Sequence, residues 1–207
     1  FINMRLTSIQ EELEQSTVTR EELLKLINDT VYNIQSFRVP VTNGTVSLID
    51  VSNGDVALAD YDNDGWVDLI LVGEWMPVTV FRNNRGSFEN ITAKLNLTDS
   101  TGWWFSIEQG DFDNDGDIDV FVGSRSVVGV YGLDPNHLFL ENNGDGTFSD
   151  ATERLAYDLK KAGMITSAVW TDIDNDQKKD LITVSDWGIP RIFKNTGRRL
   201  SLISSDL

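Results

Sequence analysis

Apolar positions change their spacing near Pro40. Before it, Ile2, Leu6, Ile9 and Leu13 recur at steps of four, three and four, which places them on one helical face. Thr19-Arg20-Glu21-Glu22 has the form of a capping box, and Leu23, Leu26, Ile27, Val31 and Ile34 follow it as an apolar stripe. Gln15-Ser16-Thr17-Val18 reads as the turn between them. The pattern predicts helices over about 3–15 and 20–34, a hairpin within a helical segment at 1–40. The stripe is expected to pack on the rest of the protein.

After Pro40 the chain breaks into short β-like runs separated by Gly, Asn and Asp. Self-comparison then finds one repeated unit. Asp60-Tyr-Asp-Asn-Asp-Gly-Trp-Val-Asp68 recurs as Asp111-Phe-Asp-Asn-Asp-Gly-Asp-Ile-Asp119, and again as Asp172-Ile-Asp-Asn-Asp-Gln-Lys-Lys-Asp180. The starts lie 51 and 61 residues apart, and the surplus in the second unit falls around Ser126–Pro135. In each unit an apolar run follows the loop, a third run ends in Asn83, Asn142 or Asn195, and a Gly turn leads to a fourth run. Four strands per repeat of about 50 residues predicts an all-β fold of propeller blades. The blades are expected within 41–207, at about 53–104, 105–165 and 166–207. Ser47–Ser52 resembles the fourth-strand segments and is read as the outer strand of a blade whose start is missing. Three units are too few to close a ring, which implies part of a larger propeller.

The shared loop is D-x-D-N-D-G-x-x-D. Carboxylates at positions 1, 3, 5 and 9, with a backbone carbonyl at position 7, make an oxygen cage of the kind a hard cation such as calcium prefers. Without a cation these acids repel one another. An EF-hand would need Glu at position 12, where the three copies have Leu71, Val122 and Thr183. The competing reading is an Asp-rich turn that binds nothing.

Charge and composition narrow the function. Of 207 residues, 33 are acidic and 17 basic, and the net charge of −16 argues against sequence-independent nucleic acid binding. The absence of cysteine excludes disulfides, thiolate metal sites and thiol nucleophiles, and no apolar run is long enough for a membrane helix. One histidine, His137, excludes sites built on two imidazoles and is expected on the surface or at a strand edge. Sequons begin at Asn28, Asn43, Asn90 and Asn96. A chain opening at Phe1 reads as a mature piece or a fragment.

The three Asp loops and the N-x-G-x-F turns after them resemble FG-GAP/VCBS repeats, the propeller repeats of integrin α-chain heads. With Gly73-Glu-Trp-Met-Pro77 and Gly102-Trp-Trp104 beside the loops, the chain most resembles bacterial secreted or surface members related to cartilage acidic protein. The resemblance covers about residues 43–200. It implies a seven-bladed propeller with structural calcium, two or three ions in this chain. By that match the ligands are Asp60, Asp62, Asp64, the Trp66 carbonyl and Asp68; Asp111, Asp113, Asp115, the Asp117 carbonyl and Asp119; and Asp172, Asp174, Asp176, the Lys178 carbonyl and Asp180. The third loop has Gln177 in place of Gly and carries Lys178 and Lys179, so it is expected to hold calcium most weakly.

Six tryptophans remain. Trp170 is expected in the core and Trp103-Trp104 at a blade interface, whereas Trp75 and Trp187 sit in loops and are the ligand candidates. The leading expectation is a non-enzymatic, extracellular or cell-surface scaffold for protein interaction or adhesion. The alternative is a carbohydrate-binding module, alone or attached to a glycan-degrading enzyme. A hydrolase or lyase is the weakest reading, since no acid–base constellation stands outside the loops.

Overall fold

A computed structural model describes residues 36–41, 45–50, 54–95, 97, 101–127, 130 and 132–204. The helices expected at 3–15 and 20–34 lie outside these residues. Within them the fold is all-β. Ser36–Val41 (β1) and Thr45–Asp50 (β2) form an antiparallel hairpin. It joins the first blade through a parallel step, Val41 opposite Phe88. Ser36–Val41 is therefore strand, where the apolar spacing predicts the end of a helical segment at 1–40. Of the Ser47–Ser52 stretch, residues 47–50 lie in β2 of this added hairpin.

The first blade comprises Asp55–Ala59 (β3), Asp68–Val72 (β4), Thr79–Asn84 (β6) and Ser87–Asn90 (β7), each antiparallel to the next. Between β4 and β6, Glu74–Met76 (β5) leaves its own sheet and pairs with the first strand of the second blade. That blade contains Gly102–Gly110 (β8), Asp119–Ser124 (β9), Leu138–Asn142 (β10) and Phe148–Asp150 (β11). A short helix, Thr152–Leu155 (α1), and a 3-10 turn at Tyr157–Lys161 lead to the third blade. Its strands are Ile165–Thr171 (β12), Asp180–Ser185 (β13), Arg191–Asn195 (β14) and Leu200–Ser204 (β15). The second blade thus begins at Gly102 rather than 105, and Trp103-Trp104 opens it instead of ending the first.

The apolar runs of β4 and β9 are continuous because both faces of these strands are buried, whereas β13 buries one face and leaves Val184 on the other exposed. In β4, Ile70 and Val72 face the second blade, while Leu69 and Leu71 enter a separate cluster with Phe81 and Phe88. In β9, Val120 and Val122 pack toward the first blade, and Phe121 points into the cluster shared with the third. The period of two along a strand divides these two runs between two interfaces. At two contacts between the second and third blades, a side chain is missing. A Cβ on Gly123 would stand 2.8 Å from Cγ2 of Ile165, and one on Gly110 would stand 3.1 Å from the Trp170 indole.

Two ends of the sheets follow from this connectivity. The Asp loops join first to second strands, and the Gly turns join third to fourth, so both lie at one end. Residues 73–78, 125–127, 132–137 and 186–190, between second and third strands, lie at the other. No helix among the described residues is long and apolar enough to cross a membrane.

Candidate functional site

Each Asp loop is held open by its own backbone. The fourth position carries positive φ in all three copies: Asn63 at 56°, Asn114 at 61° and Asn175 at 61°. Asn tolerates this left-handed region better than most residues. The sixth position does so too, in Gly65, Gly116 and Gln177, the last at 69°. Gln177 therefore adopts the conformation for which the other loops use glycine. This backbone turns amides inward: the sixth-position N–H donates to the first aspartate in every loop, at 2.8, 3.1 and 2.8 Å. The seventh-position N–H of Trp66, Asp117 and Lys178 donates to the fifth-position carboxylate.

The ninth aspartate works as a staple between strands. Asp68 accepts the Asn83 and Tyr61 amides at 2.7 and 3.0 Å, and Asp119 accepts those of Asn142 and Phe112, both at 2.9 Å. Asp180 does the same with Asn195 and Ile173, at 2.8 and 3.2 Å. Burial pushes the carboxyls of Asp68 and Asp119 up to about 7, although these amides pull the other way; neighbouring aspartates add to the rise. Sequence reading treated position 9 only as a ligand and missed this role. The signal was present in the Asn at or just before the end of each third strand.

The structure brings three carboxylates together in each loop, with ligand atoms within 4.8 Å of one another: Asp60, Asp62 and Asp68; Asp111, Asp113 and Asp115; Asp172, Asp174 and Asp180. Asp64, Asp119 and Asp176 stand outside these trios. The second loop fits a hard cation best. In the first and third loops, both oxygens of the first aspartate accept backbone amides. In the second, Asp111 accepts Gly116 N–H through Oδ2, while its Oδ1 is buried without a hydrogen-bond partner. Burial raises the Asp113 carboxyl, as do the charges of Asp115 and Asp111. A buried, unsatisfied oxygen amid like charges is what a divalent ion would relieve.

The other loops already touch a base. Arg82 reaches Asp62 at 2.5 Å and Asp64 at 3.5 Å. Lys194 reaches Asp174 at 2.5 Å, Asp176 at 2.9 Å and Asp180 at 3.5 Å. Lys178 also pairs with Asp176, at 3.2 Å.

Residues 60–122 match the FG-GAP-like repeat family. The match runs from the first Asp loop of this repeat through the second and into β9. No curated protein matches the chain. Among solved structures it is similar to a lectin of Agrocybe aegerita, described as specifically recognising non-reducing terminal N-acetylglucosamine. The two share 20% identity with a TM-score of 0.44, over 79% of this chain and 44% of the lectin's. The chain thus spans less than half the length of that structure.

The opposite end of the repeat blades carries aromatic rather than acidic chemistry. Trp75 is 60% exposed and held at φ 61°, its ring 5.7 Å from that of Trp103. The pairing of β5 with β8, Glu74 opposite Trp103, fixes this arrangement. Arg125 lies over the Phe105 ring at 4.8 Å and donates through Nε to Asp186 at 2.7 Å, which ties the second blade to the third. Beside it Trp187 is 77% exposed. Trp104 is buried between blades as expected, and Trp170 is half-buried against the second core. Trp66 lies at the acidic end.

His137 is not a surface residue. It is buried, its Nδ1 accepts the Ser124 amide at 3.1 Å, and burial pushes its pKa down to about 4, opposed by the Gly163 backbone. It packs against β9 through Phe121, its ring centroid 6.3 Å away, which the polar residues around it did not reveal.

Proposed function

We propose that this chain is a non-catalytic propeller module whose Asp-loop end holds calcium as a structural clamp and whose opposite end binds a partner. The reading rests on one observation above the rest. Trp75, a bulky residue, is kept at positive φ, at a cost of about 1–3 kcal/mol, within the irregular β5–β8 pairing that leaves most of its ring in solvent. Such strain is characteristic of surfaces that bind. Asp111, Asp113 and Asp115 of the second loop are the donors favoured for calcium, with the Asp117 carbonyl and Asp119 completing the set. Calcium loops this exposed suit the higher calcium concentrations outside cells, which supports an extracellular or cell-surface setting and a role in protein interaction or adhesion.

A glycan ligand is the second reading, favoured by the Trp75–Trp103 pair and by Trp187. Exposed indoles offer apolar faces with a polar edge, suited to the face of a sugar ring. A glycan array and a panel of candidate protein partners, each probed with the parent chain and with Trp75→Ala and Trp187→Ala, test the binding face. Dose-dependent binding lost in these variants supports it; binding unchanged in both removes it. Calcium is tested separately by thermal melting. One site at a hundredfold excess over Kd contributes about 2.7 kcal/mol, so chelation lowers the melting temperature; an unchanged melt after verified removal ends the structural role.

A further inference from the structure

One register position controls the charge at each Asp loop. Leu69 pairs with Phe81, Val120 with Leu140 and Leu181 with Phe193, so the next residue along each third strand occupies an equivalent place. That residue is Arg82 in the first blade, Glu141 in the second and Lys194 in the third. Each immediately precedes the Asn whose amide meets the ninth aspartate.

The three side chains differ in what they reach. The Lys194 side chain is only 20% exposed, and its ammonium lies within 3.5 Å of carboxylates from positions 3, 5 and 9 of its loop. Burial works against its charge, yet the hydrogen bonds to Asp174 and Asp176 and the Asp180 charge outweigh it and raise its pKa. Arg82 is more exposed, at 46%, and touches only positions 3 and 5, leaving the ninth aspartate to its backbone staples. Glu141 is an acid turned to Arg154 on the adjacent helix, and it brings no base to the second loop.

We propose, on the reading that these loops hold calcium, that Lys194 is the resident cation of the third loop, which therefore takes no divalent ion. Here the donor set disagrees with the ligands that the repeat implies. A divalent ion entering this loop must displace an ammonium already tethered among the same oxygens. Tethering gives the amine a high effective concentration without loss of a free ion's entropy. The second loop, with Glu141 at the same register position, has no such occupant and depends on calcium from solution. One blade junction is thus clamped independently of calcium, and its neighbour is not.

The test uses the full chain and calcium alone. Native mass spectrometry and equilibrium dialysis count bound calcium in the parent, Lys194→Met, Lys194→Gln and Asp113→Asn. Lys194→Met and Lys194→Gln should each bind one ion more than the parent, and Asp113→Asn one fewer. If Asp113→Asn loses an ion while neither Lys194 variant gains one, the lysine proposal fails and the calcium reading stands. If the parent binds none and no variant gains one, both fail. A measurement on the parent guards against variants that do not fold. In an amide NMR titration, calcium should shift the Gly116 resonance and leave Gln177 and the Lys194 ammonium signal in place. A calcium-dependent shift of both third-loop signals, matching that of Gly116, overturns the proposal.

Discussion

Asn142 on β10 donates its side-chain amide to the carbonyl oxygen of Tyr61, 2.9 Å away in the preceding blade. Asn195 makes the same bond one blade later, to Phe112 at 2.6 Å. Both acceptors are second-position carbonyls of Asp loops. The fourth-position side chains reinforce the junction: Asn63 donates to Asp117 and Asn114 to the Gln177 carbonyl. The loops are therefore fastened to one another as well as closed on themselves.

Removing that asparagine amide tests how much the junction depends on it. Asn195 is fully buried, so Asn195→Ala leaves the Phe112 carbonyl without this donor. The cost is about 1–3 kcal/mol, the desolvation penalty of a buried unpaired group. Urea unfolding of Asn142→Ala and Asn195→Ala should show comparable losses. A change within error in both variants would show that water replaces the side chain.

Packing at the junction of the second and third blades is limited by space. Gly123 on β9 faces Ile165 on β12, and a methyl group there would stand at 2.8 Å. Ile165 is fully buried, so it has little room to yield. Gly123→Ala should destabilise by about 1–3 kcal/mol, the usual range for overpacking. Ile165→Leu in the same chain, which removes the Cγ2 branch, should recover part of it. No recovery would mean that the strain is not at this contact.

Much of this organisation was legible in the residues. The repeat, four strands per blade and the Asp loops all follow from D-x-D-N-D-G-x-x-D and the alternating runs, because periodicity and turn chemistry are local properties. Gln177 was legible too: a residue aligned with two glycines had to accept their backbone angle. What depends on distance in sequence was not. Lys194 follows the first aspartate of its loop by 22 residues, and nothing local marks its ammonium as a neighbour of Asp174. β5 is a three-residue strand that pairs outside its own blade, so no hairpin signal announces it. His137 looked exposed because its flanks are polar, whereas its burial comes from Phe121 and Ser124 of β9, distant in sequence.

Acid should expose that histidine. Its folded pKa of about 4 lies below the ordinary 6.5. The unfolded chain therefore takes up a proton first as pH falls, and stability declines between those values. At pH 5 the loss from this group is about 2 kcal/mol relative to pH 7. His137→Gln keeps a polar side chain without the titration. Comparing both chains at pH 7 and pH 5, at constant ionic strength and calcium, isolates the contribution, since raised carboxyls such as Glu108 act in the opposite sense and cancel in the difference. Equal pH dependence in the two chains would remove His137 as a cause.

The sixth loop position offers a reciprocal pair of substitutions. Gln177 holds φ 69° with its side chain in solvent, and its one contact across blades, from Asn114, uses the backbone carbonyl. Gln177→Gly removes a Cβ from the left-handed region and keeps that contact. The relief is about 1–2 kcal/mol, against about 0.5–1 kcal/mol for the greater freedom of glycine when unfolded. A net gain of about 0.5–1 kcal/mol is expected. It should appear with and without calcium if Lys194 neutralises this loop. Gly116→Ala is the reverse case: φ is 96° and a Cβ would meet nothing within 4 Å, so any loss comes from backbone strain alone. That loss should be larger in calcium, because the second loop must keep this geometry to present Asp111, Asp113 and Asp115. Chemical denaturation of both variants, with calcium and with chelator, decides the matter. A gain in Gln177→Gly confined to calcium would mean that the third loop binds the ion after all.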